Sequence, residues 1–262
     1  MSVNRRDFLK IVSMSTILSI GGVASVSSLK YQVEASQISK SPAALTAKRW
    51  AMVVDMSKFT SEADYQRCID ACHRAHNVPH ITDNPKHEIK WLWTETFEHA
   101  FPGNEDAYRA EKFQEMPFLM LCNHCENPPC VRVCPTQATF KRKSDGIVMM
   151  DMHRCIGCRF CMAGCPYGAR SFNYKNPRPF IDQSKENPEF PTRMKGVVEK
   201  CTLCYERLAK GLQPACVEAS NGALIFGDIE DPKSEVRKIL SERFTIRRKT
   251  ELGTGPSVYY II

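Results

Sequence analysis

Apolar and polar positions divide the chain into unequal blocks. Residues 49–56, RWAMVVDM, form a short and nearly unbroken apolar run, the pattern of a strand covered on both faces, and they open the folded part of the chain. Before them lie a mildly apolar segment, Ile11 to Leu29, and a polar stretch, SQISKSPAALTAK at 36–48, which reads as a linker. Residues Ala138 to Asp151 alternate around Asp145-Gly146, a dipeptide suited to a tight turn, and predict a β-hairpin. The stretches 79–116 and 175–193 are rich in proline and charge and predict long loops or insertions. A last helix is expected over 233–243. The end, GTGPSVYYII, is apolar, and Tyr259 and Tyr260 suit a half-wet contact, so residues 244–262 are expected to form a tail that docks on a partner.

Composition changes this picture through one residue type. A chain of 262 residues with 43% apolar content can bury a core, but thirteen cysteines are many for an ordinary enzyme and an odd number for a disulfide framework. Most stand in C-x2-C pairs followed by C-P, a spacing that serves a metal cluster better than a loop-closing bridge. The net charge of +7 contains no long Lys/Arg run with interleaved aromatics, which argues against nucleic acid as a partner. Residues 1–35 carry +2 of it, leaving +5. That excess nearly offsets three 4Fe-4S clusters, each formally about −2 with its four thiolates.

Two motifs carry the chemistry. The first is Cys122-Asn-His-Cys125-Glu-Asn-Pro-Pro-Cys130-Val-Arg-Val-Cys134-Pro135, and the second is Cys155-Ile-Gly-Cys158-Arg-Phe-Cys161-Met-Ala-Gly-Cys165-Pro166. The second matches the bacterial ferredoxin run C-x2-C-x2-C-x3-C-P. In such runs the first three cysteines take three corners of one cluster and the fourth ligates its neighbour. Crossing the ligands places one 4Fe-4S cluster, A, on Cys122, Cys125, Cys130 and Cys165, and a second, B, on Cys155, Cys158, Cys161 and Cys134. Gly157 permits the tight turn, and Ile156 and Phe160 are expected to shield the cluster from water. Arg154, Arg159 and Arg170 stand close enough in sequence to affect a cluster's potential, although such charges are more often solvated. The rival chemistry, two four-cysteine zinc sites, does not account for the repeated terminal Cys-Pro.

Near the N-terminus, Asn4-Arg5-Arg6-Asp7-Phe8-Leu9-Lys10 followed by the apolar segment resembles a twin-arginine export signal. Residues 1–35 are therefore expected to direct the protein to the periplasm or the extracytoplasmic face of the cytoplasmic membrane. The signal is either removed after Ala35 or retained as an anchor.

A third motif, Cys201-Thr-Leu-Cys204 with Cys216, lies in KCTLCYERLAKGLQPACVEASNGALIFG. It resembles the last motif of the four-cluster iron-sulfur subunits of dimethyl sulfoxide reductases, polysulfide reductases and related respiratory complexes. In that family a fourth cysteine follows, but Ser220 and Asn221 stand there in this chain. The family's opening motif is reduced as well. Phe59 or Glu62, and then Tyr65, occupy the first positions, leaving Cys68 and Cys72 in QRCIDACHRAH. The family's crossed arrangement implies cluster C on Cys201, Cys204, Cys216 and Cys72, an empty fourth site, and Cys68 as a buried small side chain. Cys68-x3-Cys72-His73 is one residue too long for haem attachment, and a zinc site drawing on His73, His76 and His80 is a weaker alternative.

The resemblance implies an α+β fold of two pseudo-symmetric bacterial ferredoxin-like modules with long loop insertions, spanning 49–243. Module one would join 49–78 to 197–230, and module two would cover 117–175. The export signal and HRAHNVP most resemble the ferredoxin-like subunit of the membrane complex associated with dissimilatory sulfite reduction (Dsr/Hme type). What this implies is a non-catalytic electron-transfer subunit with three 4Fe-4S clusters. It would sit in a hetero-oligomeric complex with a polytopic quinone-interacting membrane subunit and a multihaem cytochrome c. The alternatives are the iron-sulfur subunit of a molybdopterin reductase and a zinc-stapled interaction module.

Overall fold

The computed structural model describes residues 41–104, Phe113 and 116–262; the expected export signal and residues 36–40 lie outside the described residues. The architecture is α+β, with short helices set among small sheets. Among the described residues no helix is long and apolar enough to cross a membrane.

The apolar run at 49–56 forms β1 (Trp50–Asp55), the middle strand of a three-stranded sheet. It runs antiparallel to β8 (Leu224–Asp228), with Val54 opposite Leu224, and parallel to β9 (Val258–Ile261), with Met52 opposite Val258. Successive side chains of a strand leave on opposite faces, so a middle strand covered on both sides must be apolar throughout. Ala51 and Val53 meet Val236 and Ile239 of α7 (Glu235–Glu242), while Trp50, Met52 and Val54 enter the main core.

Helix α1 (Glu62–Ala75) begins where the Asp64 carboxylate accepts the backbone N–H groups of Thr60 and Ser61 at 3.0 and 2.9 Å. Its ion pair with Arg67, then the Ser61 hydroxyl and these N–H groups, hold Asp64 well below the usual carboxylate range. Tyr65, Cys68 and Cys72 occupy one face at helical spacing and turn inward. That face packs on α6 (Ala215–Ala219) and on β2 (Leu92–Glu95).

β2 corrects the expectation of one long loop over 79–116: it pairs antiparallel with β3 (Phe118–Leu121), Leu92 opposite Leu121 and Glu95 opposite Phe118. Four residues ending in Thr-Glu carry too little alternation to announce a strand. A short helix α2 (Phe97–Ala100) follows β2. The central block contains α3 (Pro129–Arg132), the hairpin β4 (Thr139–Lys141) and β5 (Val148–Met150), and α4 (Phe160–Ala163). A ribbon of β6 (Ser171–Phe172) and β7 (Val198–Glu199) leads to α5 (Tyr205–Leu208). The linker reading also needs correction from residue 41 onward. Leu45 N–H donates to the Leu208 carbonyl at 2.9 Å, and Lys48 N–H donates to Asp228 Oδ2 at 2.7 Å.

The C-terminal residues do not form a free docking tail: β9 lies in the sheet. Tyr260 is buried, donates its hydroxyl to the Leu119 carbonyl at 3.0 Å and meets the Phe101 ring edge-on at 5.2 Å. A tyrosine whose hydroxyl finds a carbonyl inside loses the need for a wet surface. Tyr260→Phe is expected to cost about 1 kcal/mol through the lost hydrogen bond, and Tyr260→Ala about 3–5 kcal/mol through the cavity. Anaerobic denaturant titration of the two variants measures both. A truncation after Pro256 with wild-type stability would restore the docking-tail reading.

Candidate metal-cluster sites

The C-x-x-C turns that open the three motifs share a backbone feature: the third position has positive φ in each, His124 at 39°, Gly157 at 70° and Leu203 at 53°. Only glycine enters that region without steric cost. At Gly157 an added Cβ would also lie 2.5 Å from the Gly196 carbonyl oxygen, so the position admits no side chain. His124 is held there from both ring nitrogens. Its Nδ1 accepts the Val148 N–H at 3.1 Å, and its Nε2 donates to the Cys201 carbonyl at 3.1 Å. Burial, then the nearby Lys200 charge, keep this imidazole neutral, with its pKa well below the ordinary value.

All thirteen cysteines are free thiols in the structure, and twelve fall into three gatherings. Burial raises the Cys125 thiol to about 12, helped by Cys122, Cys130 and Cys165 around it. Cys134, Cys155, Cys158 and Cys161 line a single cavity together with Thr136, Ile156 and Arg159. Although partial burial pushes Cys134 up, N–H groups around it, including Thr139 at 3.4 Å from Sγ, hold it below its ordinary value. In the third gathering, burial and then Cys201, Cys216 and Cys204 raise Cys72 well above the usual range. The Cys201 thiol is pushed to about 12, chiefly by burial.

This donor set fits sulfur-ligated clusters. Sulfurs gathered in fours with no disulfide between them stay protonated as free thiols when buried, and a bound cation is what makes them thiolates. Backbone N–H groups also aim at the sulfurs, Leu203 at Cys201 from 3.5 Å and Ala215 at Cys204 from 3.4 Å, as thiolate ligands require. The gatherings adjoin one another. Cys130 is near enough to Cys161, and Cys122 to Cys201, for each to raise its neighbour's thiol.

Phe59, Tyr65 and Ser220, which stand where the family's fourth site would draw ligands, have partners of their own. Phe59 and Tyr65 stack with ring centroids 4.5 Å apart, and burial, then the Asp64 charge, raise the Tyr65 phenol to about 12. Ser220 Oγ donates to the Val217 carbonyl at 2.7 Å and accepts the Leu224 N–H at 3.0 Å, so its hydroxyl is engaged at the end of α6. Cys68 is fully buried on the same face, and burial raises its thiol to about 11.

Two expectations about neighbouring residues change. Ile156 and Phe160 are 67% and 59% exposed, because the turn that carries them lies at the surface; Ile156 covers the cavity while its other side meets water. Of the three arginines, Arg154 pairs with Asp151 at 3.7 Å and Arg159 lies 5.4 Å from the Phe172 ring, whereas Arg170 is buried.

Sequence reasoning missed Glu206, two residues beyond Cys204. Its Oε1 lies 2.7 Å from His76 Nε2, and His76 Nδ1 lies 2.8 Å from the Cys72 carbonyl and 3.9 Å from its Sγ. His76, Cys204 and Glu206 bring ligand atoms within 4.8 Å of one another. The spacing Cys-x-Glu was its available signal, but the partner comes from 130 residues away.

Residues 115–178 match the 4Fe-4S dicluster domain family. The whole chain is similar to the Hdr-like menaquinol oxidoreductase iron-sulfur subunit 1 of Archaeoglobus fulgidus, 40% identical over 98% of this chain and 97% of the relative. It is 35% identical to the iron-sulfur cluster-binding subunit of menaquinone reductase of Nitratidesulfovibrio vulgaris, over 81% of this chain and 88% of that one. The arsenate respiratory reductase iron-sulfur subunit of a Shewanella strain is 36% identical over 76% of this chain and 93% of its own.

Proposed function

This chain belongs to the ferredoxin-type iron-sulfur electron-transfer subunits of menaquinol and molybdopterin-type reductases, and on that premise we propose that it relays electrons through three 4Fe-4S clusters in a membrane quinone complex. The observation that carries the reading is the three adjoining gatherings of four free cysteines. We assign Cys122, Cys125, Cys130 and Cys165 to cluster A, Cys155, Cys158, Cys161 and Cys134 to B, and Cys201, Cys204, Cys216 and Cys72 to C. These quartets belong to the two ferredoxin-like modules the resemblance implies. Bound there, each cluster supplies one-electron exchange with no substrate chemistry.

The cysteines order this relay. The nearness of Cys161 to Cys130, and of Cys201 to Cys122, supports an order with quartet A between B and C. Cys134, Cys155 and Cys158 are half-exposed, while all four members of quartet C are buried. Exchange with a soluble redox partner, such as a multihaem cytochrome c, is therefore assigned to the B end. The Phe59–Tyr65 stack and the engaged Ser220 hydroxyl support a count of three clusters rather than four. Quinone chemistry in the relatives' names supports a polytopic quinone-interacting partner. We place the complex on the extracytoplasmic face, reached through the twin-arginine signal.

Iron analysis and co-purification from native membranes test the proposal together. A brown protein with about twelve irons, isolated with a polytopic quinone subunit and a multihaem cytochrome, is the expected result. A colourless zinc protein would sink the relay, and a molybdopterin subunit in the complex would move the assignment to the reductases, as the arsenate reductase relative allows. N-terminal sequencing of the mature protein is expected to begin at Ser36; a chain still carrying Phe8 to Leu29 would identify a retained anchor.

A further inference from the structure

Arg170, between α4 and β6, is only 4% exposed. A guanidinium keeps its charge wherever it lies, so a buried one needs acceptors or a countercharge. The buried arginines meet that need differently. Arg193 has the Glu199 carboxylate at 2.8 Å, and Arg248 spreads over the carbonyls of Ala100, Tyr167 and His99. Arg170 has no carboxylate partner among the described residues. Its Nη2 donates to Cys130 Sγ at 3.1 Å and its Nη1 to Thr139 Oγ1 at 3.1 Å, with Met150 Sδ 3.8 Å away. Thr139 is itself fixed by donating to Met150 Sδ at 3.0 Å.

The sulfurs around this guanidinium belong to two quartets. Cys130 is assigned to cluster A; on the other side, the Thr139 N–H donates to Cys134 Sγ at 3.4 Å and Met150 lines the cavity of Cys134, Cys155, Cys158 and Cys161, the quartet assigned to cluster B. We propose that Arg170 is a positioning residue that sets the reduction potentials of clusters A and B, through its hydrogen bond to Cys130 and a fixed positive charge between the two quartets. This rests on the cluster assignment above. Each electron taken up adds one negative charge beside the guanidinium and moves no proton, because Arg170 stays protonated in both states. A positive charge and a hydrogen bond to sulfur both stabilise the more negative, reduced state, so Arg170 raises these potentials. Arg154 pairs with Asp151 at the surface, and Arg159, which lines the cavity of quartet B and stacks on Phe172, has no hydrogen bond to a cysteine sulfur among the described residues.

The test uses the full chain, loaded with iron and sulfide anaerobically, as wild type, Arg170→Met and Arg170→Lys. Iron is counted and each variant is titrated by EPR at poised potentials. Arg170→Met is expected to retain iron while the signals of A and B titrate at lower potential and that of C does not move; Arg170→Lys recovers most of the shift. Should the Met variant lose a cluster, the Lys variant is decisive, with wild-type iron and a smaller downward shift at A and B expected. Unchanged potentials in an iron-replete variant would overturn the inference, as would an equal shift at all three clusters or iron loss in both variants. A wild type that binds no iron would defeat the relay reading itself.

Discussion

Cys72→Ser protein is expected to keep two clusters and to hold the third as a 3Fe-4S form or lose it, while Cys68→Ser keeps the wild-type iron of about twelve. The two residues are one helical turn apart on α1, both buried, and differ only in their neighbours. Cys201, Cys216 and Cys204 surround Cys72, whereas Cys68 shares its face with Tyr65 beside the Phe59 ring. Removing the first takes a corner from a cluster; removing the second exchanges one small buried side chain for another. Because Cys72 ties α1 to a motif that starts more than a hundred residues later, its loss should also loosen the chain between them. Iron analysis and EPR on both variants decide the matter. Equal losses would mean that the opening segment holds a site of its own, and a sixteen-iron wild type would mean that the fourth site is rescued by other ligands.

A stability loss as large as that of Tyr260→Ala is expected from Arg193→Met. Arg193 and Glu199 are wholly buried and paired at 2.8 Å, and Trp91 Nε1 also donates to Glu199 Oε2 at 2.8 Å. The Arg193 guanidinium further donates to the carbonyl of Asn77, at 3.0 Å, and to that of His76. It thereby fastens the end of α1 to β7, the strand that leads into Cys201. Taking away the cation leaves a carboxylate buried without its charge partner, which costs about 3–5 kcal/mol. Arg193→Met should accordingly fall well below wild type in anaerobic denaturant titration and lose cluster C before A or B. Replacing both partners, Arg193→Met with Glu199→Met, should recover much of the loss because no charge is stranded. A single variant within about 1 kcal/mol of wild type would mean that the Arg193–Glu199 pair contributes little net stability.

What could be read along the chain is what local chemistry dictates. The ligand spacing in Cys155-Ile-Gly-Cys158-Arg-Phe-Cys161 is set by the reach of successive sulfurs, and the Asp145-Gly146 turn by the backbone of its own residues, so both were legible one residue after another. The apolar run of β1 and the helix ending near 243 were visible for the same reason. The rest depends on partners far apart in sequence. Whether Tyr260 is wet or buried turns on Leu119, 141 residues away, and Trp91 on a carboxylate 108 residues away. The sequence left β2 unannounced because its partner strand supplies the pattern that four residues lack. Arg170 looks like any surface arginine until the fold closes water away from it and sets Cys130 against it. Likewise, missing cysteines suggest an absent cluster, but only packing puts the Phe59 and Tyr65 rings together on that side of α1. Short-range geometry belongs to the covalent chain, whereas burial, and with it charge and hydrogen-bond demand, exists only once distant segments exclude solvent together.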